Sequence, residues 1–145
     1  MTTRRGPYRM AERIMFSVGL PPVPLRRNSE TRSTTWRSKL KREYQEQVWC
    51  AGHAPSSAYV PMAKYGNPWE LPWERATVHY TWRSTHQTDE DNIIASMKPA
   101  LDVIKSTGPR PLGIIVDDAG AVVSATWEKA AHKADECVVI EIVRL

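Results

Sequence analysis

The sequence predicts an α/β fold: a single small domain with one mixed β-sheet and two main helices, in the order β-α-β-α-β-β. Three observations predict it. Residues 13–20 and 74–84 alternate apolar and polar side chains with the period of a strand. Residues from about 36 to 50 and from about 92 to 105 repeat apolar side chains at helical spacing. Two further apolar runs, 121–128 and 137–143, complete the order.

Residues 1–12 (MTTRRGPYRMAE) read as a flexible basic arm. In the first strand Ile14, Phe16 and Val18 share a face, and Pro21, Pro22 and Pro24 end it because proline donates nothing to a ladder. Ser33-Thr34-Thr35 can cap the first helix, which runs from about Trp36 to Cys50. Trp36, Leu40, Tyr44, Val48 and Trp49 lie on its apolar side, Arg37, Lys39, Lys41 and Arg42 on the other, and Gly52 is a natural stop. Residues 53–73 are rich in Pro, Gly and aromatics and read as an irregular connection that either clamps a partner or covers the core. Irregular connections of that length are uncommon and often functional, and Trp69 and Trp73 are expected to cover the core.

In Glu74–Ser84, Ala76, Val78, Tyr80 and Trp82 face one way and Thr77, His79, Thr81 and Arg83 the other. The second helix, Asn92 to Lys105, buries Ile93, Met97, Ala100, Leu101 and Ile104, and Pro99 is expected to kink it. After the Gly108-Pro109-Arg110-Pro111 turn, the short apolar run Leu112–Val116 delivers Asp117-Asp118. Ala121–Glu128 and Cys137–Val143 are strands joined by a polar stretch and are expected to form a hairpin.

The 145 residues (16.5 kDa) suit one domain. No apolar run approaches the roughly 20 residues that span a bilayer, and the N-terminus has no apolar stretch of signal-peptide length. The expectation is a soluble cytoplasmic chain with no membrane partner. Cys50 and Cys137 form no CxxC pair and four histidines are scattered, which leaves no zinc framework; both thiols are expected reduced, in or near the core. Charge is uneven: residues 1–42 hold 11 Lys/Arg and two acids, net +9, whereas the rest carry net −5. A basic segment on an acidic body points to a polyanionic partner, most often nucleic acid, with a solvated tail as the alternative.

Acids stand where structure alone does not ask for them. Asp89-Glu90-Asp91-Asn92 follows a strand and opens a helix, with Asp91 as its expected N-cap. In an extended segment Asp89 and Asp91 point the same way, and carboxylates that close repel unless a cation or proton intervenes. All-oxygen ligands suit Mg²⁺ or Mn²⁺. Either this motif or Asp117-Asp118 alone reads as a cap or turn, but the two with a basic segment point to phosphodiester hydrolysis, in which carboxylate-held ions activate water and stabilise the leaving oxygen. Asp91, Ala95, Lys98 and Asp102 share one helix face. Lys98 is suited to stabilise transition-state charge or protonate the leaving oxygen, and Asp102, one turn on, to orient it.

Asp89-Glu90-Asp91-Asn92, then Lys98-Pro99-Ala100-Leu101-Asp102, then Val116-Asp117-Asp118 resembles the RusA family of Holliday-junction resolvases. Gly19-Leu20-Pro21-Pro22 followed by Arg26-Arg27-Asn28 is similar to that family's strand, proline turn and basic loop. The resemblance covers about residues 13–145, against which 53–73 looks like an insertion. It implies a RusA-like homodimer that cuts four-way DNA junctions by Mg²⁺-dependent paired nicks. It further implies Asp89, Asp91 and Asp118 as metal-binding catalytic aspartates, Lys98 as the catalytic lysine, and a phage origin. The chain departs from the family in two respects. Ser84-Thr85-His86-Gln87-Thr88 stands where the family carries a basic run, which shifts expected DNA contact to Arg83, His86 or the N-terminal arm, beside Arg26, Arg27, Arg37 and Lys41. Lys98 follows Asp91 by seven residues rather than four, a shift of about 4.5 Å along a helix. Asp118 is taken as the third ligand on the resemblance, with Asp117 as its alternative. Two other readings stand beside this one: a non-catalytic DNA-binding module, and a metal-dependent nucleotide enzyme, for which no phosphate-cradling glycine loop is present.

Overall fold

The computed structural model describes residues 13–26, 34–53, 71–108 and 111–145. They form a small α/β domain. Strands β1 (Arg13–Val18), β2 (Ala76–Ser84), β3 (Ala121–Lys129) and β4 (Cys137–Arg144) make one mixed sheet. Helices α1 (Thr34–Gly52), α2 (Glu90–Ser96) and α3 (Lys98–Ile104) pack on one of its faces. No described helix is long and apolar enough to cross a membrane. The basic arm, Arg27, Asn28, Ser33, Trp69 and most of the 53–73 insertion lie outside the described residues.

The strand order is β1-β4-β2-β3. β2 and β3 run parallel from Ala76↔Ala121 to Ser84↔Lys129, and the α2–α3 segment supplies the crossover such a pair requires. β4 lies between β1 and β2, antiparallel to both. The expected β3–β4 hairpin is therefore wrong. The polar 130–136 stretch instead carries the chain past the end of β2: Ala130 N–H donates to the Ser84 carbonyl, and the Glu136 carboxylate accepts from the Thr85 amide and hydroxyl. Position explains the inversion. As a central strand, β4 buries Val138, Ile140 and Ile142 completely while its backbone pairs on both sides, with β1 and with β2.

The core lies under the helix-covered face. Ile14, Phe16, Val18, Val78, Tyr80 and Trp82 from the sheet meet Tyr44, Val48, Ile93, Met97 and Ile104 from the helices. Burying each large apolar side chain is worth about 1.5–3 kcal/mol. Trp73 joins this core as expected, but Trp36 does not; it is 51% exposed on the projecting first half of α1. Gly52 ends α1 where any Cβ would run into the Leu112 side chain, so it serves close packing as well as termination.

The second helix breaks rather than kinks. α2 closes at Met97 (φ −92°, ψ 6°), and α3 starts at once with Pro99 in its first turn, where a missing N–H costs nothing. α1 docks across the break: Tyr44 Oη lies 3.6 Å from Met97 Sδ, and Gln45 Nε2 donates to the Pro99 carbonyl at 3.1 Å. Cys137 is half-buried, but Cys50 is exposed at the end of α1 and not in the core.

Candidate active site

The run Leu112–Val116 is the foundation of the site. Ile114 and Ile115 are fully buried, and Ile115 bridges to both Trp73 and Lys105. Trp73 N–H donates to the Ile114 carbonyl, Val116 N–H to the Trp73 carbonyl, and Ile114 N–H to the Ile104 carbonyl. The short turn Asp118–Gly120 follows, with the Asp117 carboxylate accepting the Asp118 N–H at 2.8 Å. Gly120 lies so close to the Glu74 carbonyl that a Cβ there has no room. Asp118 thus stands on a rigid corner, and Asp117 serves as a turn cap.

Two lysines meet at that corner. Lys98 Nζ lies 3.3 Å from Asp118 Oδ2, and Lys105 Nζ lies 3.9 Å from the same oxygen. Lys105 also pairs with Asp102 at 3.5 Å, and Asp102 with Lys41 of α1 at 3.9 Å. The Asp118 carboxyl is held below its ordinary value, first by a side-chain hydrogen bond with Asp117, then by the Lys98 hydrogen bond and the charge of Lys105. Lys98 therefore pairs with Asp118, not with Asp102 as the helical spacing suggested. Lys98 and Asp102 do share α3, but Asp102 is taken by Lys105 and Lys41, and the break at Met97 interrupts only the stripe that joined Asp91 to Lys98. The sequence reading overlooked Lys105; the signal was its place three residues after Asp102.

Asp89 and Asp91 differ in setting. Asp89 is the N-cap residue of α2 with no side-chain capping bond, and Asp91 lies exposed in the first turn, so the expected N-cap is displaced by two residues. Because Asp91 is helical while Asp89 is extended, strand alternation does not align them. Glu90, between them, places its carboxylate 3.3 Å from the Ala125 N–H of β3. The loop leading to Asp89 is fixed at its base: Trp127 Nε1 donates to Ser84 Oγ, and Ser84 Oγ donates to the His86 carbonyl. Among the described residues, no three His, Cys, Asp or Glu side chains group so as to hold a metal ion. Asp89, Asp91 and Asp118 do not form a ready metal shell in this structure.

The proposed DNA contacts are spread out. Arg37 and Lys41 lie on the first half of α1, where residues 35–43 are exposed apart from the half-buried Leu40. Arg26 is partly buried, its guanidinium 5.5 Å from the centre of the Trp82 ring. His86 is exposed on the loop before Asp89. Arg83 projects from the sheet face opposite the helices and pairs with Glu128 at 2.9 Å, apart from the α1 cations. Arg27 lies outside the described residues. No protein-family model matches the chain, and no curated protein matches its sequence.

Proposed function

We propose that the chain is a structure-selective endodeoxyribonuclease of the RusA type, a homodimer that resolves four-way junctions and related branched DNA by paired nicks in the cytoplasm. One observation carries the reading: Lys98 and Asp118, from motifs that the resemblance assigns to one site, lie 3.3 Å apart. Lys105 adds a second cation, so a phosphate arriving at Asp118 meets two ammonium groups. An ammonium group so placed can stabilise charge growing on the phosphoryl oxygens or supply a proton to the leaving oxygen. Lys41, paired with Asp102, links this corner to the exposed basic half of α1, which supplies the backbone attraction that an acidic site lacks. Mg²⁺ dependence enters through the resemblance alone. Two identical sites about a two-fold axis suit a junction of matching symmetry.

The test is a synthetic four-way junction with Mg²⁺, comparing wild type with Asp89→Asn. The expected result is paired nicking by wild type and junction binding without nicking by the variant. Equal cleavage by both removes Asp89 from the reaction. Salt-sensitive binding with no cleavage under any divalent ion favours a second reading, a non-catalytic DNA-binding module. That reading draws on Lys98 itself, whose charge Asp118 already offsets in an ordinary exposed ion pair.

A further inference from the structure

A cavity of about 260 Å³ opens beside Asp89, between the segment after β1 and the start of α2. Arg26, Trp82, Gln87, Thr88, Asn92 and Asp89 line it. Two of these groups have donor capacity to spare: the Trp82 indole N–H has no partner, and the half-buried Arg26 guanidinium has no counter-charge, among the described residues. Trp82 is 1% exposed, and its buried indole N–H has no acceptor among the described residues. Arg26 spends its Nε on the Pro21 carbonyl at 2.8 Å and rests on the Trp82 ring. Its remaining N–H groups have no carboxylate within ion-pair distance among the described residues. Burial lowers its pKa, and the fields of Glu136 and Tyr44 offset only part of that cost.

Both groups are donors with no acceptor capacity. Anionic oxygens satisfy both together. A base edge such as guanine O6 and N7 also offers acceptors, but it brings no counter-charge for a half-buried guanidinium. Hydrogen bonds to ionised groups are the strong ones, and a desolvated charge gains most from a counter-charge. The amides of Gln87 and Asn92 add donors that can turn toward the same oxygens. Asp89 is the lining acid, and its repulsion sets the anion on the Arg26 and Trp82 side.

We infer that this cavity grips a backbone phosphate of the DNA strand that passes Asp89, through the Arg26 guanidinium and the Trp82 indole N–H. The identity of that strand rests on the nuclease reading above. The pocket would then fix where the strand lies relative to the acids, a positioning contact independent of base sequence.

The test uses the full chain with ¹⁵N-labelled indoles, Trp82 being assigned through Trp82→Phe. It is titrated with an uncut four-way junction in the absence of divalent ions and, separately, with inorganic phosphate. The junction is expected to shift the Trp82 indole resonance. Arg26→Gln is expected to weaken junction binding about tenfold and to lower the slope of log affinity against log salt by about one. Arg26→Lys keeps the charge but loses the planar fork, and should fall between the two if Arg26→Gln folds poorly. Junction binding with an unmoved Trp82 resonance and an unchanged salt slope overturns the pocket and leaves the nuclease reading standing. A shift with inorganic phosphate in a chain that binds no DNA overturns the nucleic-acid ligand and the nuclease reading together.

Discussion

Asp118 and the Asp89–Asp91 segment place carboxylates in unlike surroundings. Asp118 stands on buried Ile114 and Ile115, is fixed by a turn that only glycine can close, and faces two lysines. Neither Asp89 nor Asp91 takes a side-chain hydrogen bond or ion pair among the described residues. The fold compensates one carboxylate and leaves the other two to solvent. Substitutions at the Asp118 corner should therefore register in stability as well as in function. Those at Asp89 and Asp91 should register in function alone.

The largest expected effect strikes the foundation of the corner. Ile115→Ala should destabilise the chain by about 2–5 kcal/mol, read as a lowered urea midpoint, because it empties a site that is fully buried. Loss of under ~1 kcal/mol would show that the corner relaxes around the gap and is less rigid than its packing implies. Next comes Asp91→Asn, which should cut junction cleavage by about 10²-fold or more while changing stability by less than ~0.5 kcal/mol. A large stability change there would erase the contrast between the two regions.

Gly120→Ala should cost about 1–3 kcal/mol, read as a lowered Tm, since the added methyl meets the Glu74 carbonyl. Its cleavage rate should fall too if the position of Asp118 matters. The smallest effect is a titration. The folded Asp118 carboxyl has a pKa below its ordinary 3.8, so its ion pairs are intact above that value and are lost as pH falls through the lower folded one. Lys98→Ala should move that titration, followed by carboxyl NMR, upward toward 3.8. An unmoved curve would mean that Asp117 and Lys105 hold the charge without Lys98.

Periodicity made the elements legible. Ala76–Ser84 alternates cleanly because one face is buried and the other is not, and it appears as β2. Tyr44 and Val48 of α1 were legible for the same reason, whereas Trp36 was misjudged because helical spacing does not tell which turns of a helix meet the core. Strand order was not legible. A short link between two strands favours a hairpin locally, and only the packing of Val138, Ile140 and Ile142 places β4 elsewhere. The acids and Lys98 were visible as residue types, but their partners were not. The Lys98–Asp118 pair crosses from α3 to the turn before β3, a contact set by tertiary folding. The approach of Lys105 to Asp118 was hidden for that reason, although its i,i+3 pairing with Asp102 was legible, and so was the seat of Arg26 over Trp82 hidden.

Threading β4 between β1 and β2 also makes the sheet depend on contacts between distant parts of the chain. Arg13 and Val143 are register partners, so the earliest strand waits for the latest nearly a chain length downstream. Until β4 arrives, β1 is held only by its side chains, and β2 offers a bare ladder toward the gap. A nascent chain halted before Cys137 would expose two unfilled hydrogen-bonding edges flanking one slot, open to the β4 of a neighbouring chain. Slow closure and strand exchange between copies are the hazards this topology carries on the ribosome and during refolding.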